Sequence, residues 1–126
     1  MKRIYLICPV RFANDEDTEF ARQYVMGLES RGDEVYWPQR DTEQDDPTGV
    51  KICLACKNAI QRCDRVDVIW SQRSEGKLFD LALAFMAEKP LRLVTAISFI
   101  ARQKSYASVA NHWPWGMEIW DGQSPF

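Results

Sequence analysis

RVDVIWSQRSEGKLFDLALAF, residues 65–85, changes character twice. Arg65 to Trp70 is rich in β-branched and aromatic residues and reads as a strand. SQRSEG, residues 71–76, is a short polar loop carrying Ser74 and Gly76. A helix is predicted from about Lys77 to Glu88, and Lys89-Pro90 ends it because proline cannot continue the turn. Leu91 to Val94 then reads as another strand, which completes a strand–helix–strand unit.

The same alternation extends upstream. Residues 3–10, RIYLICPV, form a near-continuous apolar run, as expected for a parallel strand covered on both faces. A polar, acidic stretch from Asn14 to Thr18 suits a helix start, and Phe20, Ala21, Tyr24, Val25 and Leu28 mark that helix's apolar face up to a stop at Gly32. Glu34 to Pro38 is a second strand, followed by an acidic loop from Gln39 to Asp46. Asp46-Pro47 has the chemistry of an N-cap with proline at the first helical position, so the second helix is expected from there to about Cys63. Downstream, 97–110 reads as helical and Met117 to Trp120 as a last strand. The order predicts an α/β protein: a single-domain (1–126) flavodoxin-like or Rossmann-like sandwich, with a mostly parallel four- to five-stranded sheet and helices on both faces. Such sheets bind ligands at the carboxyl ends of their strands. The segments 9–13, 38–46 and 71–76 fall there, and the polar chemistry concentrates in them.

Composition narrows the function. The 126 residues carry 16 basic and 18 acidic side chains, a formal charge of −2, so neither a nucleic-acid polymer nor a membrane surface is an expected partner. No apolar run approaches the roughly 20 residues of a membrane span, and the short run after Met1-Lys2-Arg3 lacks a small-residue cleavage site. A cytoplasmic location is the expectation. Cys53 and Cys56 form a CxxC, but His112 is the single histidine and no second cysteine pair follows, so no metal or cofactor is expected. Cys53, Cys56 and Cys63 instead share a helical face with Val50 and Ile60 and read as buried packing residues. No GxGxxG and no P-loop occurs, and one histidine among tail aromatics makes a histidine-based triad a poor fit. The tryptophan cluster Trp113 and Trp115 reads as packing or as an oligomer interface.

Asp80 stands out. It is the only charge between Leu78 and Met86, near the start of a helix whose dipole favours its ionised form. An ionised, shielded carboxylate is the group that attacks carbon in glycosyl transfer, where it makes a covalent sugar–enzyme ester. The plainer reading is a surface acid that complements the helix dipole. Ser74 and the backbone N–H groups after Gly76 suit an anion. Arg11, at the end of the first strand beside Pro9, suits a phosphate or sugar oxygen, or is simply solvated. Tyr5 reads from its strand position as core packing.

The stretches IYLICPVR, EVYWPQRDTEQDDPTG and SEGKLFDLALAF resemble the nucleoside 2-deoxyribosyltransferase superfamily, which includes deoxyribosyltransferases and nucleoside 5'-monophosphate N-glycosidases. The similarity runs from about Ile4 to Pro90, with a weak extension over Lys104 to Val109. The resemblance implies a flavodoxin-like fold and cleavage of an N-glycosidic bond in a nucleoside or nucleotide, with transfer of the sugar to a free base or to water. It implies that Asp80 is the nucleophile and that Tyr5, also catalytic, matches a strand-one tyrosine near the sugar and base. It gives Pro9, Arg11, Asp41, Ser74, Gly76 and Ser105 to substrate binding. It also implies a homodimer or higher homo-oligomer, in which Ser105 reaches a neighbour's site. Three departures stand against the pattern: Asp80 replaces the usual glutamate, Ala82 stands where glycine is usual and is expected to crowd packing, and Cys56 falls near the place of a second acid. They leave a catalytically silent nucleotide-binding module as the alternative. A flavin-binding electron carrier and CxxC redox chemistry fit less well.

Overall fold

The computed structural model describes residues 1–8, 15–70, 75–95 and 104–122. Five described strands, β1 (Arg3–Ile7), β2 (Glu34–Tyr36), β3 (Arg65–Val68), β4 (Leu91–Leu93) and β5 (Met117–Ile119), form one sheet in the order β2-β1-β3-β4-β5. Every pairing is parallel. The chain therefore reverses its direction of travel across the sheet between β1 and β3, the switch point where doubly wound folds place their ligands. The α/β sandwich expected from the strand–helix alternation is the observed architecture.

The sheet has two different faces, because successive residues of a strand point opposite ways. Ile4 and Leu6 of β1 pack with Ala21, Tyr24, Val25 and Leu28 of α1 (Asp15–Ser30). Tyr5 and Ile7 face the other way, against Cys56 and Ile60 of α3 (Val50–Arg62) and Leu81 and Ala84 of α4 (Glu75–Met86). Ala107 and Ala110 of α5 (Tyr106–Asn111) complete that second core. The tail tryptophans realise the packing reading. Trp113 is buried, its indole N–H donates to the Lys89 carbonyl, and Phe85 stands edge-on to both Trp113 and Trp115.

Several boundaries moved for identifiable reasons. The segment after β2 is not all loop, because Pro38–Asp41 makes a short helix, α2. Proline is preset for a first turn, and the Asp41 carboxylate accepts the Trp37 N–H at 2.8 Å. The next helix begins at Val50 rather than at Asp46-Pro47. Gly49 takes a left-handed conformation (φ 81°), which breaks any earlier start. Asp46 still acts on that helix: its carboxylate accepts the Ile52 N–H at 3.1 Å and the Thr48 hydroxyl at 3.3 Å. The expected cysteine face is only partly buried. Cys56, Ile60 and Cys63 are buried, Cys53 is half-buried and Val50 is exposed. Of the helix expected over 97–110, Tyr106–Asn111 is observed, and 96–103 lies outside the described residues. Ala82 is exposed on α4, so its methyl crowds nothing, contrary to the expectation from sequence.

Candidate active site

The candidate site starts from the register of β1. Tyr5 lies between Val66 of β3 and Tyr36 of β2 in the parallel ladder. Neighbours in register are close enough for ring contact. Tyr5 and Tyr36 stack with centroids 5.6 Å apart and planes inclined by 9°. Tyr36 is hydrogen-bonded in turn to the Thr42 hydroxyl just after α2, so this segment is tied to the central strand.

Tyr5 is fully buried, yet its hydroxyl is not idle. It donates to Asp80 Oδ2 at 2.9 Å, across 75 residues of sequence. The ring fills the core, as its strand position suggested, and the hydroxyl meets the candidate nucleophile. Burial first, and the Asp80 charge second, push the Tyr5 phenol far above its usual range. Tyr5 thus remains a neutral donor at any working pH. The Cys56 thiol faces the same hydroxyl, and burial pushes it up to about 11, so it is a protonated, unreactive thiol at neutral pH.

Asp80 sits in the second turn of α4, one turn later than its sequence position suggested. The inward stripe of that helix is Lys77, Asp80, Leu81 and Ala84, the spacing of one helical face. Burial raises the Asp80 carboxyl to about 6, and the Tyr5 hydrogen bond opposes that rise. The group is therefore largely ionised at pH 7, poorly solvated and held by one oxygen. These are the conditions under which a carboxylate is a nucleophile rather than a solvated surface charge.

Lys77 was not singled out by sequence reading. It is 5% exposed, and its Nζ lies 3.9 Å above the centroid of the Trp70 ring. Removal from water lowers its proton affinity. The available signal was its spacing, three residues before Asp80 on one apolar stripe.

The remaining sequence candidates divide. Gly76 is in the first turn of α4. The Asp41 carboxylate is engaged by the Trp37 N–H and the Arg40 guanidinium, at 2.8 and 2.7 Å. Ser105 caps α5, its Oγ accepting the Ser108 N–H at 3.1 Å. Pro9, Arg11 and Ser74 lie outside the described residues. A groove of about 390 Å³ lies on the α1 side of the sheet, lined by Arg22, Trp37 and Arg40 among others, and Asp80 does not line it. Among the described residues no group of three His, Cys, Asp or Glu side chains is placed to hold a metal ion, and no helix is long and apolar enough to cross a membrane.

Comparison with solved structures fixes the architecture. The CMP N-glycosidase BcmB of Clostridium botulinum superposes with a TM-score of 0.67 at 17% identity, over 94% of this chain and 88% of that one. A 2-deoxyribosyltransferase from Bacillus psychrosaccharolyticus gives 0.65 at 20% identity, over 78% of this chain and 75% of that one. The chain shares the fold of these enzymes. The 2-desoxiribosyltransferase of Leishmania mexicana agrees, at 0.60 and 19% identity, over 98% of this chain and 77% of that one. No protein-family model matches the chain, and no curated relative matches it in sequence.

Proposed function

We propose that the chain cleaves the N-glycosidic bond of a nucleoside, a deoxynucleoside or their 5'-monophosphates, with Asp80 as nucleophile. The observation that carries this reading is the Asp80 carboxylate itself. It is half-buried on the inward face of α4 at the sheet's switch point, held at Oδ2 by a permanently protonated tyrosine. The shared fold of an N-glycosidase and deoxyribosyltransferases supports the same reaction class.

The second carboxylate oxygen attacks the anomeric carbon as the bond to the base nitrogen breaks. The bonding pair leaves with the base, and the sugar remains as an ester of Asp80. A free base or a water molecule then displaces the carboxylate. Tyr5 serves both steps by fixing the rotamer of Asp80 and stabilising its ionised form. The one-methylene difference from glutamate is set by the backbone of α4, which brings Asp80 within hydrogen-bonding distance of Tyr5. The substrate-binding roles of Arg11, Ser74 and Gly76, and a homo-oligomeric assembly, belong to this proposal.

The test is base release, followed by chromatography, from a panel of nucleosides, deoxynucleosides and 5'-monophosphates, each with and without a second free base. The expected result is release that Asp80→Asn abolishes. Dependence on the added base separates transferase from hydrolase. A preference for monophosphates that narrows in Arg11→Ala assigns Arg11 to the phosphate. Absence of release from every substrate, together with nucleotide-induced thermal shifts, would instead make the chain a nucleotide-binding module.

A further inference from the structure

Cleavage of an N-glycosidic bond also needs a proton for the departing base, and the Tyr5 hydroxyl does not suit that task because its proton is already donated to Asp80. We propose that Lys77 is the proton donor to the leaving base. This inference rests on the N-glycosidic reading above.

The placement of Lys77 is unfavourable on two physical counts. A cation in the first turn of a helix opposes the helix dipole, and a buried ammonium loses its hydration. The residue is nonetheless 5% exposed, and its head is held against the Trp70 face at 3.9 Å. Trp70 is itself fixed, its backbone N–H donating to the Thr95 hydroxyl at 2.7 Å. Lysine normally keeps its ammonium in water, so this conformation sets the charge in place.

Direction comes from the topology. α4 returns from β3 to begin the parallel strand β4, so its first turn lies at the carboxyl edge of the sheet. Lys77 and Asp80 share one helical face, where residues three apart have Cβ atoms about 5–6 Å apart. Lys77 is thus one turn nearer the carboxyl edge of the sheet than Asp80, though Lys77 is the buried side chain and Asp80 is half-buried. In an in-line displacement the leaving group departs from the side of the anomeric carbon opposite the nucleophile. With Asp80 one turn farther from that edge, the base departs toward the edge where Lys77 stands.

The step balances. The C–N bond breaks with its electron pair on the base, Asp80 bonds to the anomeric carbon, and one ammonium proton passes to an acceptor atom of the base. The neutral amine then takes the proton from the water that hydrolyses the ester, which restores both groups. Desolvation favours this, since it brings the ammonium closer to the working pH than a solvated lysine.

The test compares leaving groups in the full chain. Lys77→Met keeps the stem and removes the proton. Lys77→Arg keeps the charge on a group that does not give up a proton at working pH. Each is assayed on the best ordinary substrate of the panel and on a counterpart whose base leaves without protonation, an N7-methylguanine derivative or an electron-poor 5-halogenated uracil derivative. Both variants are expected to lose roughly 10²–10⁴-fold in kcat on the ordinary base and less than about tenfold on the activated one. Both are also expected to keep nucleotide-induced thermal shifts, which checks that they fold. Equal losses on the two substrates, full activity of Lys77→Arg, or no loss at all would each overturn the assignment. If the unaltered protein releases no base from any substrate, the glycosidic reading fails and this inference falls with it. Release by the unaltered protein with equal losses sinks the inference alone.

Discussion

The two faces of the sheet each hold a carboxylate that accepts a tyrosine hydroxyl, and the two carboxylates differ in burial and in their charged partners. On the α1 face, Tyr24 donates to Asp67 Oδ2 at 2.6 Å, and Arg65 grips both oxygens of Asp67 at 2.6 and 2.9 Å. Arg92 joins through the Tyr24 hydroxyl and Glu118, so this group is a closed, charge-compensated network inside the sheet. On the opposite face, Tyr5 donates to Asp80 in the same manner, but among the described residues no arginine or lysine forms an ion pair with Asp80. The same Asp–Tyr pair is thus structural where a guanidinium completes it. At Asp80, where no such pair is described, burial raises the carboxyl to about 6, as is common at functional sites.

The largest expected effect is on activity. Asp80→Asn should lower base release by at least roughly 10³-fold, because the amide cannot form the ester. Asp67→Asn should leave release per folded molecule unchanged. A large loss in the second variant, measured on material shown to be folded, would erase the distinction between the faces.

Stability should show the reverse. Asp67→Asn leaves the buried Arg65 with a neutral neighbour and the longer contact to Glu118 at 3.6 Å, and should cost about 3 kcal/mol in denaturant unfolding. Asp80→Asn should stabilise at high pH. The raised carboxyl means that between about pH 4 and 6 the folded protein holds a proton that the unfolded chain has released, so stability falls as pH rises through that window. Above it the buried charge costs up to ~3 kcal/mol, which the amide removes. The variant should therefore melt on the order of 10 °C higher at pH 8 and no higher at pH 3.

The tyrosines give the smaller effects. The acid limb of kcat/KM should sit near pH 6 in the unaltered protein, with activity rising as Asp80 ionises. Tyr5→Phe removes the bond that holds the charge, so this limb should move to higher pH with a loss of roughly 10–100-fold near its midpoint. Tyr24→Phe should leave the limb in place and cost about 1 kcal/mol of stability. A shift of the limb in Tyr24→Phe, or none in Tyr5→Phe, would contradict the assignment.

Much of this was legible in the sequence, and unevenly so. The apolar run of β1, the alternation of strands and helices, and the proline that ends α4 report on local chemistry, and each produced the expected element. Cap chemistry was read correctly and placed wrongly at Asp46, since the left-handed backbone of Gly49 decides where α3 begins. Asp80 could be picked out as a lone charge on an apolar helix. Its meeting with Tyr5 could not be read from spacing, because a contact across 75 residues depends on tertiary packing. Arg65 and Asp67 carried a signal that was passed over, as two charges at i and i+2 in a strand share a face and can pair there. Lys77 was hidden because lysine is so rarely buried that its helical spacing reads as solvent-facing.

The most direct test of Asp80 as the nucleophile is the mass of the intact protein after mixing with a 2-fluoro-substituted nucleoside or nucleoside 5'-monophosphate. The fluorine disfavours the cation-like transition state and lets the ester accumulate. The account predicts a mass increase of one sugar residue, or one sugar phosphate, mapping to the peptide that contains Asp80 and absent from Asp80→Asn. Base released at the unaltered rate by Asp80→Asn, or an adduct mapping to another residue, would contradict it.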